Sequence, residues 1–93
     1  MDLHGLIRPP ERPRVGETLR AARLGQTRSI EDVSQLTRVS VRHLHAIERS
    51  DYGVFAAPVF AVGFVKSYAR AVGLSAQPLG DAFRAELREA AAG

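Results

Sequence analysis

Apolar residues recur at helical spacing in five short segments, and each segment is closed by a turn or a capping residue. That punctuation constrains the fold more than any other feature of the chain. Val15, Leu19 and Ala22 stand at i, i+4 and i+7, one face of a helix over residues 15–24, which Gly25-Gln26-Thr27-Arg28 ends. Ser29, with Asp32 three residues on, makes an imperfect capping box for a second helix over residues 30–36, with Ile30, Val33 and Leu36 on its apolar side. Thr37-Arg38-Val39-Ser40 is a tight connection to a third helix over residues 41–49, which turns Val41, Leu44 and Ile47 inward. Residues 50–57 form a loop with Tyr52 and Phe55 as apolar anchors. Pro58 suits the first turn of a fourth helix, which stops near Val72 because Gly73 is a good residue beyond a helix end. Ser75 caps a fifth helix, with Leu79, Phe83 and Leu87 as its stripe.

The chain is therefore expected to be all-α, with five short helices and no strand. Residues 1–14, with Pro9, Pro10 and Pro13 among arginines, predict a flexible arm. Residues 15–88 make the domain, and residues 89–93 predict a frayed tail. Ninety-three residues leave room for one domain. The absence of cysteine excludes disulfides and thiolate chemistry and favours a cytoplasmic setting. The longest charge-free run, Tyr52–Val65, has fourteen residues and contains Pro58, whereas a membrane-spanning helix needs about twenty. Met1-Asp2-Leu3-His4 opens no signal-peptide pattern.

Enzymatic chemistry finds little support. No glycine-rich phosphate loop and no His/Glu pair at i, i+4 is present, and His43 and His45, two apart on a helix, point in different directions. Ser29, Ser40 and Ser75 read as helix caps rather than nucleophiles. No catalytic residue, metal or cofactor is expected. Two classes of function remain, a DNA reader and a protein-docking module.

The second and third helices have the spacing of a helix-turn-helix. In that motif the first residues of the second helix reach base edges. Here they are Ser40, Val41, Arg42 and His45, with Ala46 beside them. Arg42 is the one strong base reader among them. The net charge of +3 is unevenly spread: residues 8–28 carry six arginines and two glutamates, residues 29–55 three arginines and four acids. A local charge of −1 is unfavourable for approaching phosphates, so DNA binding is expected to be weak.

Val15-Gly16-Glu17-Thr18-Leu19-Arg20-Ala21-Ala22-Arg23 resembles the opening helix of phage-repressor-like, Xre-type domains. Ser29-Ile30-Glu31-Asp32-Val33 and Arg42-His43-Leu44-His45-Ala46-Ile47-Glu48 continue the likeness. The stretch from Pro58 to Leu74, with Gly63-Phe64-Val65-Lys66-Ser67-Tyr68-Ala69-Arg70 at its centre, is similar to the fourth helix of the RodZ-like bacterial cell-shape family. The resemblance covers about residues 15–88. It implies a helix-turn-helix that docks onto the actin-like protein MreB, followed in longer chains by a basic segment, a membrane helix and a periplasmic domain. It also implies that Phe60 and Phe64, at the positions of the family's two contacting aromatics, are the anchors. Three departures stand out. Gln26-Thr27-Arg28-Ser29 replaces a Leu-Gly-Leu-Ser lead-in and predicts a looser first loop. Phe55-Ala56 replaces Leu-Pro. Ile30 replaces a phosphate-contacting Gln, which counts against DNA binding.

Helical geometry supports docking independently of the resemblance. At about 100° per residue, the apolar side of the fourth helix, from Phe60 round to Val62, spans roughly 200°, against a little over 100° for an ordinary core stripe. Phe60 and Phe64 fall at the border of that arc, with Lys66, Ser67 and Arg70 beside it, and Tyr68 falls nearer its middle, in the core. An exposed aromatic pair there marks an interaction patch, for which the resemblance implies MreB as partner, and self-association through the same patch is a further alternative.

Overall fold

A computed structural model describes residues 13–92. Among the described residues there are five α-helices, α1 Val15–Gly25, α2 Ile30–Thr37, α3 Val41–Glu48, α4 Pro58–Ala71 and α5 Ala76–Ala92, with a 3₁₀ turn at Tyr52–Val54 and no strand. The arm expected over residues 1–14 lies outside the described residues except for Pro13 and Arg14. The fifth helix runs through Ala92, so residues 89–92, where fraying was expected, are helical and exposed.

Local chemistry accounts for most boundaries. Ser29 Oγ accepts from the Asp32 amide and Asp32 returns the bond to the Ser29 amide, so the capping box is complete. These bonds hold the Asp32 carboxyl below its usual range. Ser40 caps α3 by accepting from the His43 amide. Between the two helices, Arg38 turns the chain in the left-handed region at φ 63°. Ser34 Oγ and Thr37 Oγ1 donate to the Val39 and Val33 carbonyls and fasten the turn from both sides. The end of α4 is a Schellman arrangement: Gly73 takes φ 77°, and the Leu74 amide returns to the Ala69 carbonyl at 2.8 Å. The start of α1 has no local cap. Its Val15 amide instead donates to Glu86 of α5 at 2.9 Å.

The core forms where α2 and α3 close over one side of α4 and α5 over another, with α1 packed against α3 and α5. Leu19, Val33, Leu44, Ile47, Val65, Tyr68 and Phe83 are fully buried there. Helices α1 and α3 cross so closely at Gly16 that a Cβ would collide with the Ile47 carbonyl. The expected inward stripes of α1, α3 and α5 are found. On α2, Leu36 departs from expectation. It is 61% exposed rather than part of the apolar side, because the helix ends within one residue and the chain turns away.

The loop between α1 and α2 is not loose. Gln26 Nε2 donates to the Val72 carbonyl at 2.8 Å and Arg28 to the Ala71 carbonyl at 2.7 Å, so the loop caps the free carbonyls of α4. Arg23 donates to the Arg28 carbonyl from below. The residues that depart from the family's lead-in supply their own fastening.

Candidate interaction surfaces

The buried stripe of α4 consists of Ala61, Val62, Val65, Tyr68 and Ala69. Its width is about that of an ordinary core face, so part of the 200° apolar arc is left outside. Of that arc, Phe60 is left 59% exposed and Pro58 exposed, and Val59 beside them in the first turn, outside the arc, is 72% exposed. Ala57, the cap residue of that turn, offers no side-chain bond.

Phe64 behaves differently from Phe60. Its ring lies against His43 of α3, with centroids 5.1 Å apart, and 6.4 Å from Phe55 of the loop. His43 in turn stacks on Phe55 at 5.6 Å, and Phe55 meets the buried Phe83 edge-on. The expected exposed pair is therefore one exposed ring and one half-buried ring, because a histidine and a loop phenylalanine close over Phe64. Of the flanking residues, Ser67 and Arg70 share a recess with α2. Lys66 does not join them. Its aliphatic stem lies over Gly80 of α5, where a Cβ would come within 2.6 Å of Lys66 Cε.

A second surface is the outer side of α3. Ser40 and Arg42 are exposed and His45 is half-exposed, while Val41 is half-buried against the core. Arg42, His45 and Arg49 line one shallow groove, with Asp51 at its end. The local charge of −1 does not describe this surface, because one of its acids, Glu48, points inward.

Glu48 is the centre of a buried polar cluster that the sequence reading did not anticipate. Arg23 of α1 grips it with two bonds, Nε at 2.8 Å and Nη2 at 3.0 Å, and Tyr68 Oη donates to the same carboxylate from α4. Burial alone would raise the Glu48 carboxyl, but the bonds from Arg23 and Tyr68 outweigh it and hold the group below the usual range. The Glu48 bond raises Arg23, and burial followed by the same carboxylate raises Tyr68. A signal was present. Arg23 continues the Val15–Leu19 spacing and Glu48 lies four residues after Leu44, so both charges are in phase with apolar stripes. The cluster ties α1, α3 and α4 together and leaves no buried side-chain polar atom unpaired among the described residues.

Five helices with a capped three-residue turn, Arg38-Val39-Ser40, between the second and third define a helix-turn-helix domain. The chain belongs to the helix-turn-helix domain family, whose model matches residues 18–79. Within that fold it is RodZ-like. It is 35% identical over 69 residues to the cytoskeleton protein RodZ of Streptococcus pneumoniae, a match that covers 74% of this chain and 25% of that protein. It is also 35% identical over 51 residues to the uncharacterized membrane protein YmfM of Bacillus subtilis, covering 55% of this chain and 18% of the relative. The chain thus spans a quarter or less of the length of these relatives. A solved structure with the same fold is YmfM of Staphylococcus aureus, described as a candidate DNA-binding membrane protein. It superposes with a TM-score of 0.74 at 24% identity, covering 80% of this chain and 90% of that one. No described helix is long and apolar enough to cross a membrane.

Proposed function

We propose that this domain is a non-catalytic adaptor that docks onto the bacterial actin-like filament MreB through the first turn of α4, in the service of cell shape and elongation. In a longer chain, a following membrane helix would tether the filament to the cytoplasmic face of the membrane. The observation that carries this reading is Phe60. It is a large aromatic standing in solvent on the helix whose other aromatics are covered, at the position where the RodZ-like family is expected to anchor. An exposed aromatic beside Val59 gives a partner a desolvated anchor with little ordering cost. Phe64 supports the patch from behind through His43 and Phe55, and Ser67 and Arg70 extend it along α4. The test is co-sedimentation with polymerised MreB. Phe60→Ala is expected to weaken binding by about thirtyfold, the effect of a typical interface anchor. Wild-type domain that stays in the supernatant refutes the proposal.

DNA binding is the second reading, and the groove of Arg42, His45 and Arg49 on α3 favours it. The α3 surface is more cationic than the sequence sum suggested, since Arg23 neutralises Glu48 internally. Ile30, buried in the core, offers no phosphate contact. The expected behaviour is weak, salt-sensitive, sequence-independent binding. One duplex preferred about a thousandfold over random DNA at physiological salt would make this the better reading.

A further inference from the structure

We infer that the docking site is a two-walled groove between α2 and α4, and that its occupant is an acidic amphipathic segment of the partner with an apolar side chain seated against Leu36. The inference rests on the filament-docking function proposed above and adds the second wall and the chemistry of what enters it.

Leu36 is the large apolar side chain that the end of α2 leaves in solvent. It lies on α2, is 61% exposed, and takes no part in the core. Across from it on α4 stand Ser67, Arg70 and Ala71, and with Thr37 and Arg28 these residues line an open recess of about 470 Å³. Ser67 and Ala71 follow Phe60 at i+7 and i+11, so all three share one face of α4 over about 16 Å. Leu36 and Phe60 are thus the two exposed large apolar groups along one strip. An amphipathic helix presents anchors to such a groove at i, i+3/i+4 and i+7.

Charge selects the occupant. The recess is lined by two arginines, Arg28 and Arg70, and by no carboxylate among the described residues. One acid, Asp32, lies in the adjoining hollow that Arg28 and Leu36 also line, and it is engaged in the capping box with Ser29. Arg28 is held in place by its bond to the Ala71 carbonyl, so its charge is fixed at the lip, whereas Arg70 is exposed. Two cations beside apolar anchors, one of them fixed, favour a segment carrying carboxylates and disfavour a basic one by like-charge repulsion.

The experiment measures binding of four chains to polymerised MreB by co-sedimentation, with thermal unfolding and sedimentation velocity on each. The chains are wild type, Phe60→Ala, Leu36→Asp and Arg70→Glu. Leu36 and Arg70 are exposed, so both variants are expected to keep the wild-type melting temperature. Leu36→Asp and Arg70→Glu are each expected to weaken filament binding about tenfold or more. If Phe60→Ala loses binding while both groove variants bind like wild type, the groove inference is overturned and the docking function stands. If wild type does not sediment with the filament, both fall. Two further outcomes also overturn the groove inference. One is wild-type self-association that Leu36→Asp abolishes, which assigns the groove to a second copy. The other is Arg70→Glu losing duplex DNA while keeping the filament, which assigns that side to nucleic acid.

Discussion

The two ends of α4 are built on opposite rules. At its C-terminal end Tyr68 and Ala69 are fully buried, Gly73 and Leu74 close the helix, and Gln26 and Arg28 reach from another loop to its last carbonyls. At its N-terminal end no side chain caps the helix, and Pro58, Val59 and Phe60 face solvent. Each end carries large apolar side chains, Val59 and Phe60 at one and Tyr68 and Val72 at the other. The difference lies in what the rest of the domain brings to them. Three helices and a loop converge on one end, and nothing in the described fold covers the other. A small domain that leaves large apolar groups in water loses burial it could have used. An uncovered turn beside a fully satisfied one is therefore where a partner is expected.

The strongest way to break this contrast is to cut the satisfied end loose from its support. Glu48→Ala leaves Arg23 buried without its anion and Tyr68 without its acceptor. It is expected to cost about 3–5 kcal/mol in chemical denaturation, enough to threaten a domain of this size. A change within 0.5 kcal/mol would mean that the cluster is not what joins α1, α3 and α4.

Truncating the intermediate ring comes next. Phe64→Ala removes a half-buried aromatic from between His43 and Phe55 and is expected to cost roughly 1–3 kcal/mol, less than a fully buried phenylalanine. Binding should fall too, so a loss of binding in Phe64→Ala does not by itself separate patch from core. Tyr68→Phe is a subtler cut at the buried end, expected to cost about 2 kcal/mol, the worth of one hydrogen bond to a charged group.

Acid should expose the same asymmetry. The Glu48 carboxyl is held below its ordinary value, so its contribution to stability is present above that value and is lost as pH falls through the folded one. Melting temperature is expected to drop below about pH 4, the ordinary glutamate range, and the drop should be shallower in Glu48→Gln. An identical acid limb in the two proteins would assign acid sensitivity elsewhere. The smallest effect on stability belongs to the open end. Phe60→Ala is expected to leave unfolding within about 0.5 kcal/mol of wild type, although it removes the principal binding anchor. Marked destabilisation would show that Phe60 is covered in solution and would erase the contrast.

The helices themselves were legible because their causes are local. Ser29 with Asp32, Ser40, Pro58 and Gly73 fix boundaries by bonds or backbone preferences that reach no further than one turn. Periodicity then selects Leu19, Leu44, Val65 and Phe83 for the core, since a helix has only one face to turn inward. The helix-turn-helix follows from the same signals, whereas the RodZ-like character rests on the resemblance of the stretch from Pro58 to Leu74. Only the tertiary structure decided three things, each depending on residues distant in the chain. Arg23 and Glu48 stand 25 positions apart, and Glu48 and Tyr68 20, with no sequence mark of their pairing beyond the phase that puts both charges in line with apolar stripes. The wheel of α4 offered Phe60 and Phe64 as equals, and the approach of His43 and Phe55 covered one and left the other. The summed charge of residues 29–55 counted Glu48 as surface, and burial against Arg23 removed it. Spacing fixes which side of a helix is apolar. How far that side is covered depends on the shapes and charges that other segments bring to it.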